Sequence, residues 1–206
     1  MKITWHGHSC FKVETDQGSV VFDPYENGRV PGYASLPQDL SADAVLCSHQ
    51  HRDHNAVELV RLSGRTPTFS VQELSTYHDE VKGEKRGTNK IHIVSAGEIR
   101  VAHMGDIGCE LTMEQLIALR GVDVLFIPVG GFYTIDAGQA KTMADAIGAH
   151  VVIPMHYRNG PLGYEVIDTL ESFVSQCNNM VTYDTNSIVI TADTPAQTAV
   201  LTYSAE

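Results

Sequence analysis

Apolar positions divide the chain into a strand-rich first half and a second half in which strands and helices alternate. Residues 2–6 (KITWH), 10–15 (CFKVET) and 19–23 (SVVFD) are short strand-like runs between polar turns, and Asp16-Gln17-Gly18 suits a hairpin. A polar loop containing Gly and Pro occupies residues 24–39. Residues 42–48 (ADAVLCS) read as a buried strand that stops at a run of histidines. Beyond it, residues 55–62 (NAVELVRL) carry helical apolar spacing, with Asn55 as the N-cap.

Further strands are predicted at 67–71, 74–78, 90–96 and 98–104, the last two joined by a turn near Ala96-Gly97. Residues 111–121 predict a helix capped by Thr112 and ended by Gly121. Strand 122–129, loop 130–136, helix 137–148 and strand 150–155 form a βαβ unit, which requires parallel strands with helices outside. An amphipathic helix over 164–176 and terminal strands near 187–192 and 198–203 complete the pattern. No linker or low-complexity tract divides it, so one domain spanning 1–206 is expected.

Composition narrows the function classes. No run of about 18 apolar residues marks a membrane span, and the N-terminus lacks a signal-peptide pattern, so the expected location is cytoplasmic. Cys10, Cys47, Cys109 and Cys177 lack metal-site spacing and read as small buried thiols. Fourteen basic against 25 acidic residues give a net charge of −11, which argues against a nucleic-acid partner.

Three strand ends are followed at once by ligand-type residues: His49, Asp106 and His156. In layered α/β folds such ends share an edge, so these residues point to one site. The six residues His49–His54 hold three histidines and an aspartate. His49, His51, Asp53 and His54 suit Zn²⁺, and also Mn²⁺ or Fe²⁺. His156, after a buried strand, and Asp106, between glycines, are the natural additional ligands. His92 and His150 lie within or at the start of strands and read as structural. His78 and His103 compete for the last place, and spacing favours neither.

At this point the chain resembles a known family. SHQHRDH (48–54) matches the HxHxDH motif of the metallo-β-lactamase fold, and ITWHGHSCF, STYHDEVKGEKRGTN, VAHMGDIGCELTMEQL and VVIPMHY resemble its small, cap-less hydrolase branch. That branch is similar to ascorbate-6-phosphate lactonase and N-acylphosphatidylethanolamine phospholipase D. The likeness runs to about residue 190, and the tail after Thr191 is unmatched. It implies a four-layer αββα sandwich. It also implies two divalent metal ions: His49, His51 and His78 on the first, Asp53, His54 and His156 on the second, and Asp106 between them. His103 is then a residue behind the ligands or one facing substrate. Two such ions share a hydroxide that attacks a small ester, lactone or phosphoester, and Asp53 is the residue expected to hold that nucleophile and take its proton. Relatives with di-iron redox chemistry carry Glu in place of His51, so His favours hydrolysis. A di-iron oxygen-using protein and a non-catalytic metal-binding sensor are the rival expectations.

Other residues are candidates at the edge of the site. Asp23 is either the acceptor that fixes a ligand histidine's tautomer or a turn former before Pro24. His8 lies in a polar turn, where a site-edge role and a structural one are both open. Tyr133 and Tyr157 are either pocket-lining residues or partly buried structural tyrosines, the commoner case. Arg86, with Lys82 and Lys85, puts positive charge after His78, which is either a solvated charged loop, the commoner case, or an attraction for an anionic small-molecule substrate. The loop 26–38 is expected to cover the pocket in part. A homo-oligomer is compatible with all of this.

Overall fold

A computed structural model describes residues 1–205. Its first half makes the strands β1 (Lys2–Gly7), β2 (Cys10–Thr15), β3 (Gly18–Phe22), β4 (Ser41–Ala42), β5 (Ala44–Leu46), β6 (Arg61–Leu62) and β7 (Ser70–Tyr77). The remainder makes β8 (Thr88–Ala96), β9 (Ile99–His103), α1 (Met113–Leu119), β10 (Val124–Pro128), α2 (Ala137–Ile147), β11 (Val151–Met155), α3 (Glu171–Val174), β12 (Met180–Tyr183), β13 (Ser187–Val189) and β14 (Gln197–Leu201). One sheet has the order β13-β1-β2-β3-β5, the other β12-β14-β11-β10-β9-β8-β7, and β4 pairs β6 separately.

The apolar runs explain the layering. Strands β10 and β11 are parallel and almost wholly buried, as strands covered on both faces must be. The two sheets meet through aromatic rings. Phe11 of β2 stacks on Phe126 of β10 at 4.2 Å, and Phe22 of β3 lies flat against His103 of β9 at 5.0 Å. Both phenylalanines are fully buried, worth about 1.5–3 kcal/mol each. This is the expected α/β sandwich, with helices confined to the second half.

The predicted Thr112 cap on α1 forms, and Asp136 caps α2 in the same way. Each makes a reciprocal capping box with a glutamine, and Gly148 ends α2 in the left-handed conformation. Elsewhere the periodicity misleads. Residues 55–62 form only a 3₁₀ turn, Val57–Leu59, before β6. Ala56, not Asn55, caps it, and no side chain bonds its amides. The strand pairing that draws Arg61 and Leu62 to β4 overrides the helical spacing. The expected helix 164–176 shrinks to Glu171–Val174, because Arg158 pairs with Thr169 and Asp168 donates its N–H to the Gly130 carbonyl. The two short strands at 67–71 and 74–78 are one strand, β7, continuously paired with β8. The tail unmatched by the family resemblance is integral: β14 inserts between β11 and β12, and Tyr203 packs edge-on against Tyr33 at 4.8 Å. Among the described residues no helix is long and apolar enough to cross a membrane, and all four cysteines are free.

Candidate metal centre

Strand direction delivers the site. Strands β3 and β5 are parallel, so their ends bring Asp23 and Ser48 to the same edge. Parallel strands β9, β10 and β11 end beside it, and their loops supply Asp106, Tyr133 and His156. His78 follows β7, and His8 sits in the turn after β1. Gly105 makes the approach of Asp106 possible, since a Cβ there would lie 2.3 Å from Asn89 Oδ1 and 2.4 Å from Ser48 Cβ. Asn89 then accepts the Asp106 amide at 2.9 Å and donates to the Thr76 hydroxyl and the Met104 carbonyl.

Four imidazoles converge on one carboxylate oxygen. Asp106 Oδ2 lies 3.2 Å from His54 Nε2, 3.2 Å from His156 Nε2, 3.4 Å from His78 Nε2 and 3.9 Å from His49 Nε2. His49, His51 and His78 can bring one ligand atom each to a common point, and Asp53, His54, His156 and His8 to another. His49 Nε2, His54 Nε2 and Asp106 Oδ1 are buried without a hydrogen-bond partner. Buried orphan atoms of this kind are rare, and imidazole nitrogens and a carboxylate oxygen are donors that suit divalent cations.

The tautomers are set from behind. Ser48 donates its hydroxyl to Asp23 Oδ2 at 2.6 Å, and its amide to Oδ1 at 2.7 Å. The same hydroxyl therefore accepts from His49 Nδ1 at 2.9 Å, which leaves Nε2 with its lone pair toward the site. His54 Nδ1 donates to Asp23 Oδ2 at 2.8 Å, with the same consequence. Asp23 thus accepts from both Ser48 and His54, and it is one of three residues here, with His8 and His156, that hold positive φ, at 44°, 51° and 52°. Such strain, about 1–3 kcal/mol per residue, persists only where surroundings enforce it.

The electrostatics match. Burial, and then the nearby His54, push the His49 pKa down to about 3. Burial and His156 push His8 down to about 4. Both rings are neutral at neutral pH, the form that binds metal. Burial opposes ionisation of Asp106, but His156 and His54 outweigh it and hold its pKa well below the usual carboxylate range. Burial likewise opposes charge on His54, but Asp106 and Asp23 outweigh it and push its pKa well above the ordinary value, so without metal this ring holds a second proton that a bound cation has to displace.

A cleft of about 230 Å³ opens onto these groups, lined by His51, Asp53, His78, Asp106 and His156 with Arg29, Arg86, Tyr133 and Tyr164. Arg86 sits over the Tyr133 ring at 5.6 Å. Its backbone is fixed by Asp79, whose carboxylate accepts the amides of Val81, Gly83, Lys85 and Arg86. Arg29 comes from the loop expected over the pocket. Tyr164 donates its hydroxyl to Asp53 Oδ2 at 3.0 Å.

Two candidates do not line the cleft. Tyr157 is in the aromatic core, 5.9 Å from Trp5 and 2% exposed. Of the two places expected for His103, it takes the one behind the cluster: it is fully buried, 4.0 Å from Asp23, with Nε2 donating to the Ser9 carbonyl and Nδ1 accepting from Gly105. Sequence reasoning missed Arg29, Tyr164, Ser48 and Asp79. Of these only Asp79, directly after His78 and followed by a glycine-containing turn, carried a readable signal.

The family described as "Beta-lactamase superfamily domain" matches residues 2–156. A UPF0173 metal-dependent hydrolase of Methanopyrus kandleri is 30% identical, the match covering 78% of this chain and 86% of the relative. One from Archaeoglobus fulgidus is 31% identical, covering 79% and 85%. The crystal structure of a Thermotoga maritima protein, described as a Zn-dependent hydrolase of the metallo-β-lactamase superfamily, superposes with a TM-score of 0.78 at 31% identity over 97% of both chains. With its strand-end cluster of histidines and aspartates, the chain belongs to this superfamily and is a metal-dependent hydrolase.

Proposed function

We propose that the cleft is a two-metal hydrolytic site, with His49, His51 and His78 on one ion, Asp53, His54 and His156 on the other, and Asp106 between them. The observation that carries this reading is the convergence of four Nε2 atoms within 3.2–3.9 Å of Asp106 Oδ2. Imidazole and carboxylate donors favour zinc, with manganese or iron also served. Bound divalent ions would supply hydroxide at neutral pH and a Lewis acid for the substrate oxygen.

The chain's own groups do the rest. Asp53, held at Oδ2 by the Tyr164 hydroxyl, faces the cleft and takes the proton released as the nucleophile attacks. Arg29 and Arg86 flank the same cleft, and neither pairs with a carboxylate among the described residues, whereas Arg52 and Arg65 do. In a chain of net charge −11, two uncommitted guanidiniums beside the site favour a substrate with an anionic group. We read that substrate as a small ester, lactone or phosphoester.

The test is metal analysis of the purified and reconstituted protein, combined with a screen of esters, lactones and phosphodiesters in neutral and anionic pairs. About two ions per chain and turnover of an anionic member are expected. No more than trace metal after reconstitution overturns the reading. Two bound irons with oxygen consumption and no hydrolysis would instead identify a redox protein, and two ions without any turnover a binding module.

A further inference from the structure

We propose that His8 is an additional protein ligand of the second metal position, through Nε2. The inference rests on the two-metal reading above and adds a donor outside the HxHxDH motif.

The turn is the first argument. Strands β1 and β2 pair antiparallel, with Gly7 opposite Cys10, so His8 and Ser9 form a tight two-residue connection. Such turns select glycine, asparagine or aspartate because their residues take positive φ. His8 takes φ 51° with a bulky ring. The strain is held by its backbone carbonyl, which accepts the Trp5 indole N–H at 3.0 Å and the His156 amide at 3.5 Å.

The ring is the second argument. It is fully buried, yet neither nitrogen has a hydrogen-bond partner. A buried imidazole with both nitrogens idle is doubly unfavourable unless something at the site engages one of them. Its Nε2 lies 3.6 Å from Asp53 Oδ2. That is long for a hydrogen bond, but within the roughly 3–4 Å that separates two donors on one metal ion with bonds of about 2.0–2.1 Å. The His8 ring is 4.3 Å from that of His156 and 5.1 Å from that of His54, and one donor atom from each of these residues and from Asp53 lies within 4.8 Å of the others.

The consequence is two unequal positions. With Asp106, the second would have three nitrogen and two oxygen donors from the protein, a set beyond tetrahedral zinc and suited to ions that accept higher coordination. The first keeps three histidines, of which His51 is exposed, and is the position left open to substrate.

Cobalt(II) titration of the whole chain, read by its visible absorption and by competition with a chelating dye, tests this. His8→Gln and His8→Asn are compared with wild type, and circular dichroism confirms folding; asparagine suits the positive φ should glutamine disturb the turn. Both variants should bind the second cobalt at least 10-fold more weakly and alter its absorption, leaving the first cobalt unchanged. Wild-type affinity and absorption in a folded variant would overturn the assignment while leaving the two-metal reading intact. A wild-type chain that binds no cobalt would bring down both.

Discussion

Asp23 Oδ2 and His54 Nδ1 lie 2.8 Å apart between two side chains with no exposed surface. The same carboxylate holds Ser48, and through its hydroxyl His49. One buried acid therefore fixes two rings of the histidine cluster. Replacing Asp23 with Asn leaves an amide that cannot accept all three hydrogen bonds. Metal affinity should fall about 10–100-fold, measured by competition with a chelating dye. Wild-type affinity in Asp23→Asn would show that the histidines need no such support.

His78 and His103 should separate cleanly by substitution. His78→Ala removes a donor at the cleft and should lower metal content with little change in the stability of the metal-free protein. His103→Ala empties a fully buried site against Phe22 and should cost on the order of 2–5 kcal/mol in chemical denaturation. Its metal content should fall less than that of His78→Ala, and the reverse order would refute the ligand choice.

Arg86→Ala should raise KM for an anionic ester by roughly 10-fold relative to its neutral counterpart, with kcat little altered and the wild-type preference fading at high salt. Asp79→Asn should shift KM the same way, because it releases the backbone that carries Arg86. Equal effects on both substrates would remove the arginine from recognition.

Asp43 gives a pH test away from the metal. Bonds from the Ser63 hydroxyl and the Ser19 amide hold its carboxyl below the ordinary range. A depressed folded-state pKa means that this stabilisation is complete above the unfolded value of about 4 and is lost as pH falls through the folded one. Asp43→Asn should be less stable at neutral pH and lose less on acidification, so the two melting curves converge at low pH. Parallel curves would show that the carboxylate contributes nothing.

Continuous apolar runs made the buried strands legible, cap chemistry at Thr112 located α1, and the strand–helix–strand alternation located α2. Local spacing failed where distant strands competed for the backbone, at residues 55–62 and 164–176. In the site, ligand-type residues after strand ends could be listed from sequence. What could not be read was which side of a strand end each would face. His103 and Tyr157 each stand beside cleft residues in sequence, yet one lies behind Asp23 and the other against Trp5. Arg29 and Tyr164 come from irregular loops whose course is set by tertiary contacts, so nothing local announced them.

The loop from Asp79 to Arg86 is closed on its own first side chain, with four amides gathered by one carboxylate. Its shape therefore depends little on the sheets that carry the metal donors. Residues 80–85 can diverge without disturbing His78, provided that Asp79 stays and the turn closes. A lineage could thus change which charged molecules it admits while inheriting its hydrolytic centre intact.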